Sequence, residues 1–260
     1  MLYVLGDIHG QTAALDRALG LIEADGGADA PLIFLGDYVD RGPDSRGVLD
    51  RLIAGRDAQR PWRFLLGNHD RMFLRFVTEA RNHDPRVLSG KGWLHPALGG
   101  NATLASYLPR DAFDHPEGGG IDTLARSGLD PLPDPHRDAL VAAACEAVPQ
   151  RHLDFVAGLA TMIEDGPNLF VHAGIRPGVP LPEQAEDDLI WIRDGFLDHD
   201  GDYGRLVIHG HTALERPTHF GNRIDLDGGA GYGRPLVPAL FDGNGWFTLH
   251  DDGRRPLTPP

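Results

Sequence analysis

The chain opens on a short apolar run, Leu2 to Leu5, closed by Gly6-Asp7, and the same arrangement then recurs twice. Leu32 to Leu35 leads into Gly36-Asp37, and Trp62 to Leu66 leads into Gly67-Asn68. After each turn, apolar residues return at helical spacing, over Gln11 to Ala24, Ser45 to Ala54 and Arg71 to Arg81. Short apolar runs alternating with helical periodicity predict an α/β fold with a parallel central sheet. The polar turns then fall at carboxyl ends of strands, where open α/β sheets bind their ligands.

From Ser89 to Pro135 the pattern breaks up. Glycine pairs and prolines interrupt any long element, and Trp93, Leu94, Leu104 and Tyr107 are isolated apolar anchors. This segment reads as an inserted cap of short helices and loops within one domain spanning 1–260. Two helical stretches follow, Pro135 to Val148 and Gln150 to Gly158. The last third reads as strands: Thr161 to Glu164, Asn168 to His172, Leu206 to His209, Arg223 to Leu226, Ala239 to Phe241 and Trp246 to Leu249. An apolar-aromatic cluster from Asp187 to Phe196 carries Arg193.

Composition narrows the function classes. No apolar run approaches the roughly 20 residues that cross a bilayer, and the N-terminus runs straight into a strand with no basic region or cleavage site before it. The expectation is a soluble, cytoplasmic protein with no membrane partner. A net charge of −14 disfavours nonspecific nucleic-acid binding, which needs a basic footprint. A phosphate substrate would need a local exception, from bound cations and a few arginines. The lone cysteine, Cys145, excludes an intrachain disulfide and a thiolate metal cage; it is expected in the core as a small hydrophobe.

The turns carry the chemistry. Gly6-Asp7-Ile8-His9-Gly10 offers a carboxylate and an imidazole two residues apart. Gly36-Asp37-Tyr38-Val39-Asp40-Arg41-Gly42 offers a carboxylate and then an acid-base pair, and Gly67-Asn68-His69-Asp70 an amide oxygen and a second imidazole. Val171-His172-Ala173-Gly174 and Ile208-His209-Gly210-His211-Thr212 again put histidine at a strand end. An Asp in a Gly-Asp turn is ordinarily a turn residue or a helix cap, and one such turn would mean little. Five together form a mixed oxygen and nitrogen ligand set, suited to Mn, Fe or Zn better than to Ca or Mg. Outside these motifs, Asp198, Asp200 and Asp202 read as a solvated acidic loop, and His209 as a satisfied or supporting histidine. The histidines without motif context, His152 among them, are expected mostly on the surface.

The ordered motifs GDIHG, GDYVDRG, GNHD, HAG and GHT resemble those of the calcineurin-like metallophosphoesterases. The DRG and GHT forms are similar to the PPP-type serine/threonine phosphatases, especially the small bacterial and phage members. Ala213 stands where the broader superfamily has a further histidine, which is again PPP-like. The resemblance implies two mixed β-sheets in a sandwich flanked by helices. It implies two divalent metals, Mn first and Fe or Zn as alternatives. Asp7 and His9 would hold one, Asn68, His172 and His211 the other, and Asp37 would bridge them. His69 would be the general acid, oriented by Asp40, and Arg41 and Arg193 would bind the phosphate. Attack on phosphorus would come from a hydroxide bridging the metals, with no covalent phosphoenzyme.

The expected activity is hydrolysis of phosphomonoesters, on phosphoproteins or small phosphoesters. The alternative is a symmetric dinucleoside tetraphosphate hydrolase, whose family shares these motifs and which His172-Ala173-Gly174-Ile175 followed by Pro177 also resembles. A noncatalytic scaffold is a reading of another class, disfavoured because every expected position is filled.

Overall fold

A computed structural model describes residues 1–109 and 134–260. Each early apolar run is a strand: β1 (Leu2–Leu5), β2 (Leu32–Phe34) and β3 (Trp62–Phe64). They pair in parallel, with Tyr3 opposite Leu32 and Leu32 opposite Trp62. The crossovers α1 (Thr12–Gly26) and α2 (Ser45–Asp57) bury apolar stripes, Leu15, Leu19 and Ile22 on one and Val48, Leu49 and Leu52 on the other. α3 (Asn68–Glu79) starts three residues earlier than its apolar period, because the Asp70 carboxylate accepts the Gly67 N–H at 3.0 Å and closes the first turn. Asn68 and His69 therefore sit on the helix, not in the loop before it.

α4 (Gly100–Tyr107), α5 (Asp134–Ala147) and α6 (Gln150–Ala157) follow. Most of the expected 89–135 cap lies outside the described residues. Its described beginning is packed down, with Trp93, Leu94, Leu104 and Tyr107 all buried and Trp93 against Phe73 and Phe76. On α5 Leu140 and Ala144 turn inward, four apart as a helix stripe requires, and Val148, just past its end, continues the stripe. Cys145 is next to that stripe and exposed, which corrects its expected place in the core.

The second sheet is β4 (Met162–Asp165), β5 (Asn168–Val171), β6 (Leu206–His209), β7 (Thr218–His219) and β8 (Arg223–Asp225). Their spatial order is β4-β5-β6-β8-β7, with β5-β6 and β6-β8 parallel and the two edge pairs antiparallel. The short α7 (Glu186–Trp191) occupies the apolar-aromatic cluster before β6. β9 (Ala239–Phe241), β10 (Trp246–His250) and β11 (Gly253–Pro256) return to the first sheet, giving the order β11-β10-β9-β1-β2-β3. β9 enters antiparallel beside β1, so the first sheet is mixed and not purely parallel.

The two sheets pack face to face. Val4, Ile33 and Leu65 meet Phe170, Ile208 and Ile224 in the layer between them, while Tyr3, Leu5, Leu32 and Phe34 point to the helices. Burial on both faces explains why these strands read as unbroken apolar runs. Each fully buried Leu, Ile or Phe contributes about 1.5–3 kcal/mol. No described helix is long and apolar enough to cross a membrane. The carboxyl ends of β1, β2, β5 and β6 and the first turn of α3 converge at one edge of the sandwich, and the sequence motifs are all there.

Candidate metal centre

Asp7, His9, Asp37, Asn68, His172 and His211 are all buried, and the backbone is bent to bring them together. Seven described non-glycine residues have positive φ, and five of them are His9, Asp37, Asp40, Arg41 and His211. Such conformations cost about 1–3 kcal/mol each and persist where the surroundings enforce them. The alternative that Asp7 and Asp37 merely cap helices fails: Gln11 is the N-cap of α1, and Asp44 caps α2 by accepting the Gly47 N–H.

Histidine orientation is set from behind. His9 Nδ1 donates to the Val39 carbonyl at 2.8 Å and His172 Nδ1 to the Leu35 carbonyl at 2.9 Å. Each Nε2 is thereby turned into the cluster, the orientation a metal ligand needs. His9 Nε2 lies 3.8 Å from Asp7 Oδ2 and 3.5 Å from Asp37 Oδ2. On the other side His172 Nε2 lies 3.4 Å from Asp37 Oδ1, and Asn68 Oδ1 is 3.0 Å from His172 Nε2 and 2.8 Å from His211 Nδ1. His211 Nε2 is buried with no hydrogen-bond partner among the described residues.

Two groups of donors could each hold a cation, His9 with Asp37 and His69, and Asp37 with His172 and His211. They share Asp37. Gly67 and Gly210 complete the cradle, since a Cβ at Gly67 would strike the Asp37 carboxylate and one at Gly210 the carboxylate of Asp7. The donor set, the shared carboxylate and the orphaned imidazole nitrogen fit a pair of divalent metals. One detail differs from the expected ligands: His69, not Asp7, falls within the first close group.

The charges fit the same reading. Burial raises Asp7 well above the usual carboxylate range, and the neighbouring Asp227 carboxylate adds to it. Burial would raise Asp37 too, but the imidazoles of His172 and His69 override it and hold Asp37 well down. His172 responds in turn: burial disfavours its charge, yet Asp37 lifts its pKa to about 9. Burial leaves His9 and His211 far below the ordinary imidazole value.

His69 sits at the edge of this cluster. Its Nδ1 donates to Asp40 Oδ2 at 2.6 Å, and Arg41 Nη2 donates to its Nε2 at 3.0 Å. Burial, with Arg41 also opposing a second positive charge, lowers the His69 pKa to about 3. Asp40 is in turn gripped by Trp93 Nε1 at 2.7 Å and Thr103 Oγ1 at 2.6 Å. Arg41 also contacts His9 Nε2 and lies 5.2 Å from the centre of the Tyr232 ring. Arg193 Nη2 donates to the His211 carbonyl at 3.2 Å. Asp37, Arg41, Asn68, His69, Arg193 and His211 all line one cavity of about 280 Å³.

Every residue singled out by motif is thus in one place. Three supporting residues carried no motif signal of their own. Trp93 and Thr103 reach Asp40 from the 89–109 segment, and Asp227 stands behind Asp7. Asp70, the last letter of GNHD, accepts the N–H groups of Asp37, Tyr38 and Gly67 at 2.8, 2.8 and 3.0 Å. His209 is a satisfied buried residue, with Nδ1 2.9 Å from the Gly210 carbonyl and Arg223 at its Nε2. Asp198, Asp200 and Asp202 are exposed. His152 departs from expectation: it is fully buried, between Tyr107 and Asp50.

Residues 1–227 match the calcineurin-like phosphoesterase family. The chain belongs to that family. Among its relatives is the symmetrical bis(5'-nucleosyl)-tetraphosphatase of Acidovorax sp. (strain JS42), 34% identical over 169 residues, which are 65% of this chain and 58% of that protein. The match therefore spans less than two thirds of that relative's length. The asymmetrical bis(5'-nucleosyl)-tetraphosphatase PrpE of Bacillus subtilis (strain 168) is 26% identical over 92% of this chain and 89% of its own. A solved structure proposed to be a diadenosine tetraphosphatase superposes with a TM-score of 0.60 at 21% identity, covering 97% of this chain and 94% of that one. That likeness carries the fold of this phosphoesterase, which is the expected sandwich.

Proposed function

We propose that this phosphoesterase is a metal-dependent hydrolase of dinucleoside polyphosphates. The observation that carries the hydrolase reading is the pair of donor groups sharing Asp37, facing the same cavity as Arg41 and Arg193. The substrate class rests on the relatives, whose names are those of bis(5'-nucleosyl)-tetraphosphatases. They favour the dinucleotide reading over the phosphoprotein one that the PPP-like motifs suggested.

In this reading Asp7, His9 and Asp37 hold one divalent cation, and Asp37, Asn68, His172 and His211 hold the other. Bound cations would supply a water activated for attack on phosphorus and would draw charge from its oxygens. Arg41 and Arg193 orient the phosphoryl group; a guanidinium offers a planar fork that matches two of its oxygens. His69 gives a proton to the departing oxygen from Nε2, and Asp40 stabilises the imidazolium through the Nδ1 hydrogen bond. Substrate must first displace Arg41 from His69 Nε2. A phosphoryl group arriving at Arg41 does so and also adds the negative charge that favours protonated His69. Trp93 and Thr103 fix Asp40, so the imidazole cannot rotate away.

The test is product analysis with Mn²⁺-reconstituted protein supplied separately with diadenosine tetraphosphate, a phosphopeptide and an aryl phosphate. The expected result is faster metal-dependent cleavage of the dinucleotide. ADP as sole product marks symmetric cleavage, whereas AMP with ATP marks asymmetric cleavage. Turnover of the phosphopeptide with the dinucleotide left intact would reverse the assignment.

A further inference from the structure

Arg86, Val87, Leu88 and Leu98 also line the cavity that holds the metal donors, and no part of the chemistry described so far uses them. The turn that presents the first three is anchored. Asp84 is buried, takes hydrogen bonds from Arg71 and Arg75 at 3.1 Å each, and accepts the Arg86 N–H at 3.0 Å through Oδ1. Val87 N–H donates to the Asp84 carbonyl at 2.9 Å, and the Val87 side chain is buried. With Val87 as the inward pin, Arg86 and Leu88 stand outward at the rim. Leu88 is 95% exposed, an apolar side chain that stands outside the hydrophobic core of the described residues.

Arg86 is the third guanidinium on a cavity of about 280 Å³, beside Arg41 and Arg193. Its ion-pair contact is weak: Asp188 Oδ1 lies 3.8 Å away, and Asp188 is already held by Arg176 through two hydrogen bonds of 2.8 and 2.7 Å. The positive charge of Arg86 is therefore left available to a ligand. In the proposed function one phosphoryl group would be met by the metal-binding residues' cations and by Arg41 and Arg193. A third arginine at the rim, in a protein of net charge −14, has a purpose when further phosphates extend out of the cavity.

We infer that Arg86 and Leu88 form a second subsite, which binds the phosphates beyond the one under attack and the apolar face of the nucleoside attached to them. The inference rests on the dinucleotide reading for its substrate but makes a claim of its own, that this rim recognises a polyphosphate chain. Arg86 acts here as a binding and positioning residue. Its loss should be felt according to the number of phosphates in the ligand.

Two measurements separate the subsite from the reading beneath it. In the first, wild-type, Arg86→Gln and Leu88→Glu proteins are assayed with diadenosine tetraphosphate and with an aryl phosphate. The expected result for Arg86→Gln is a roughly tenfold loss in kcat/KM on the dinucleotide, mostly in KM, the size of one lost charge-assisted contact. The aryl phosphate should lose several-fold less, and Leu88→Glu should repeat the pattern more weakly. Equal losses on both substrates would overturn the subsite and make Arg86 part of the scissile-phosphate site or of the fold. The second measurement is calorimetric binding of ADP and of orthophosphate to Mn²⁺-loaded protein, which needs no turnover. Arg86→Gln should weaken ADP far more than orthophosphate. That result beside an inactive dinucleotide assay keeps the subsite and sinks the substrate reading; an unchanged ADP affinity sinks the subsite whatever the substrate is.

Discussion

The Asp70 carboxylate accepts the backbone N–H of Asp37 at 2.8 Å, and this bond holds the shared carboxylate of the two donor groups in its left-handed conformation. Two further N–H groups, of Tyr38 and Gly67, end on the same carboxylate, so Asp70 ties the β2 turn to the start of α3. All four residues are buried. In Asp70→Ala three buried donors lose their acceptor. The expected effect is a loss of about 3 kcal/mol or more in folding stability and weakened metal retention. Urea denaturation with metal analysis of the folded protein checks both, and a variant with wild-type stability and full metal content would refute this role.

His69 has two possible employments that one variant distinguishes. Its nitrogen falls in the first close donor group, yet it also bonds to Asp40 and Arg41. As a proton donor, His69→Asn should lower kcat about 10²–10⁴-fold with metal content intact. Asp40→Asn should lower it less, since the imidazole remains. If His69→Asn instead releases one metal equivalent, it is a ligand and the acid lies elsewhere.

Arg41 invites a change of shape at constant charge. Its backbone is left-handed, its guanidinium rests near Tyr232, and its Nε is buried without a hydrogen-bond partner among the described residues. Lysine keeps the charge and loses the fork. Arg41→Lys should lower kcat/KM roughly 10- to 100-fold, measured on an aryl phosphate and on the dinucleotide alike. With Arg41 at the phosphoryl group under attack, as proposed, equal loss on both substrates is the outcome that separates it from Arg86.

How much of this was readable from the chain follows from where each signal lies. Strands buried on both faces are unbroken apolar runs, so β1, β2, β5 and β6 stood out, and their turns exposed the Asp and His residues in order. β7 and β11 did not: Thr218–His219 is two residues long and Gly253–Pro256 carries two arginines, so neither has an apolar period. Trp93 reads only as an apolar anchor and Thr103 carries no signal at all, because their bonds to Asp40 span 53 and 63 positions. Cys145 misled for a simpler reason, since in an alanine-rich helix the composition says nothing about which face each residue takes. His152, without a motif, gave no sign of its buried bonds to Tyr107 and Asp50.

The last prediction concerns stability far from the metal donors, where Tyr3, Asp25 and Arg254 join β1, the end of α1 and β11. Tyr3 Oη donates to Asp25 Oδ2 at 2.6 Å, and Arg254 donates to the same carboxylate at 2.8 Å. Burial, reinforced by the bond to Asp25, raises the Tyr3 pKa to about 12, while Arg254 lowers that of Asp25 below the ordinary carboxylate value. The two shifts act at opposite ends of the pH scale. A phenol whose folded pKa is raised adds stability that is complete below the unfolded value of about 10 and is lost as pH climbs toward 12. A carboxyl whose folded pKa is depressed adds stability present above about 3.9 and lost as pH falls through the folded value. Denaturant midpoints should therefore decline more steeply above pH 10 in wild type than in Tyr3→Phe. Asp25→Asn should be less stable than wild type at neutral pH, with the gap closing in acid below the folded pKa. Parallel wild-type and Tyr3→Phe curves from pH 8 to 11 would show that the phenol is not held in its neutral form by this cluster.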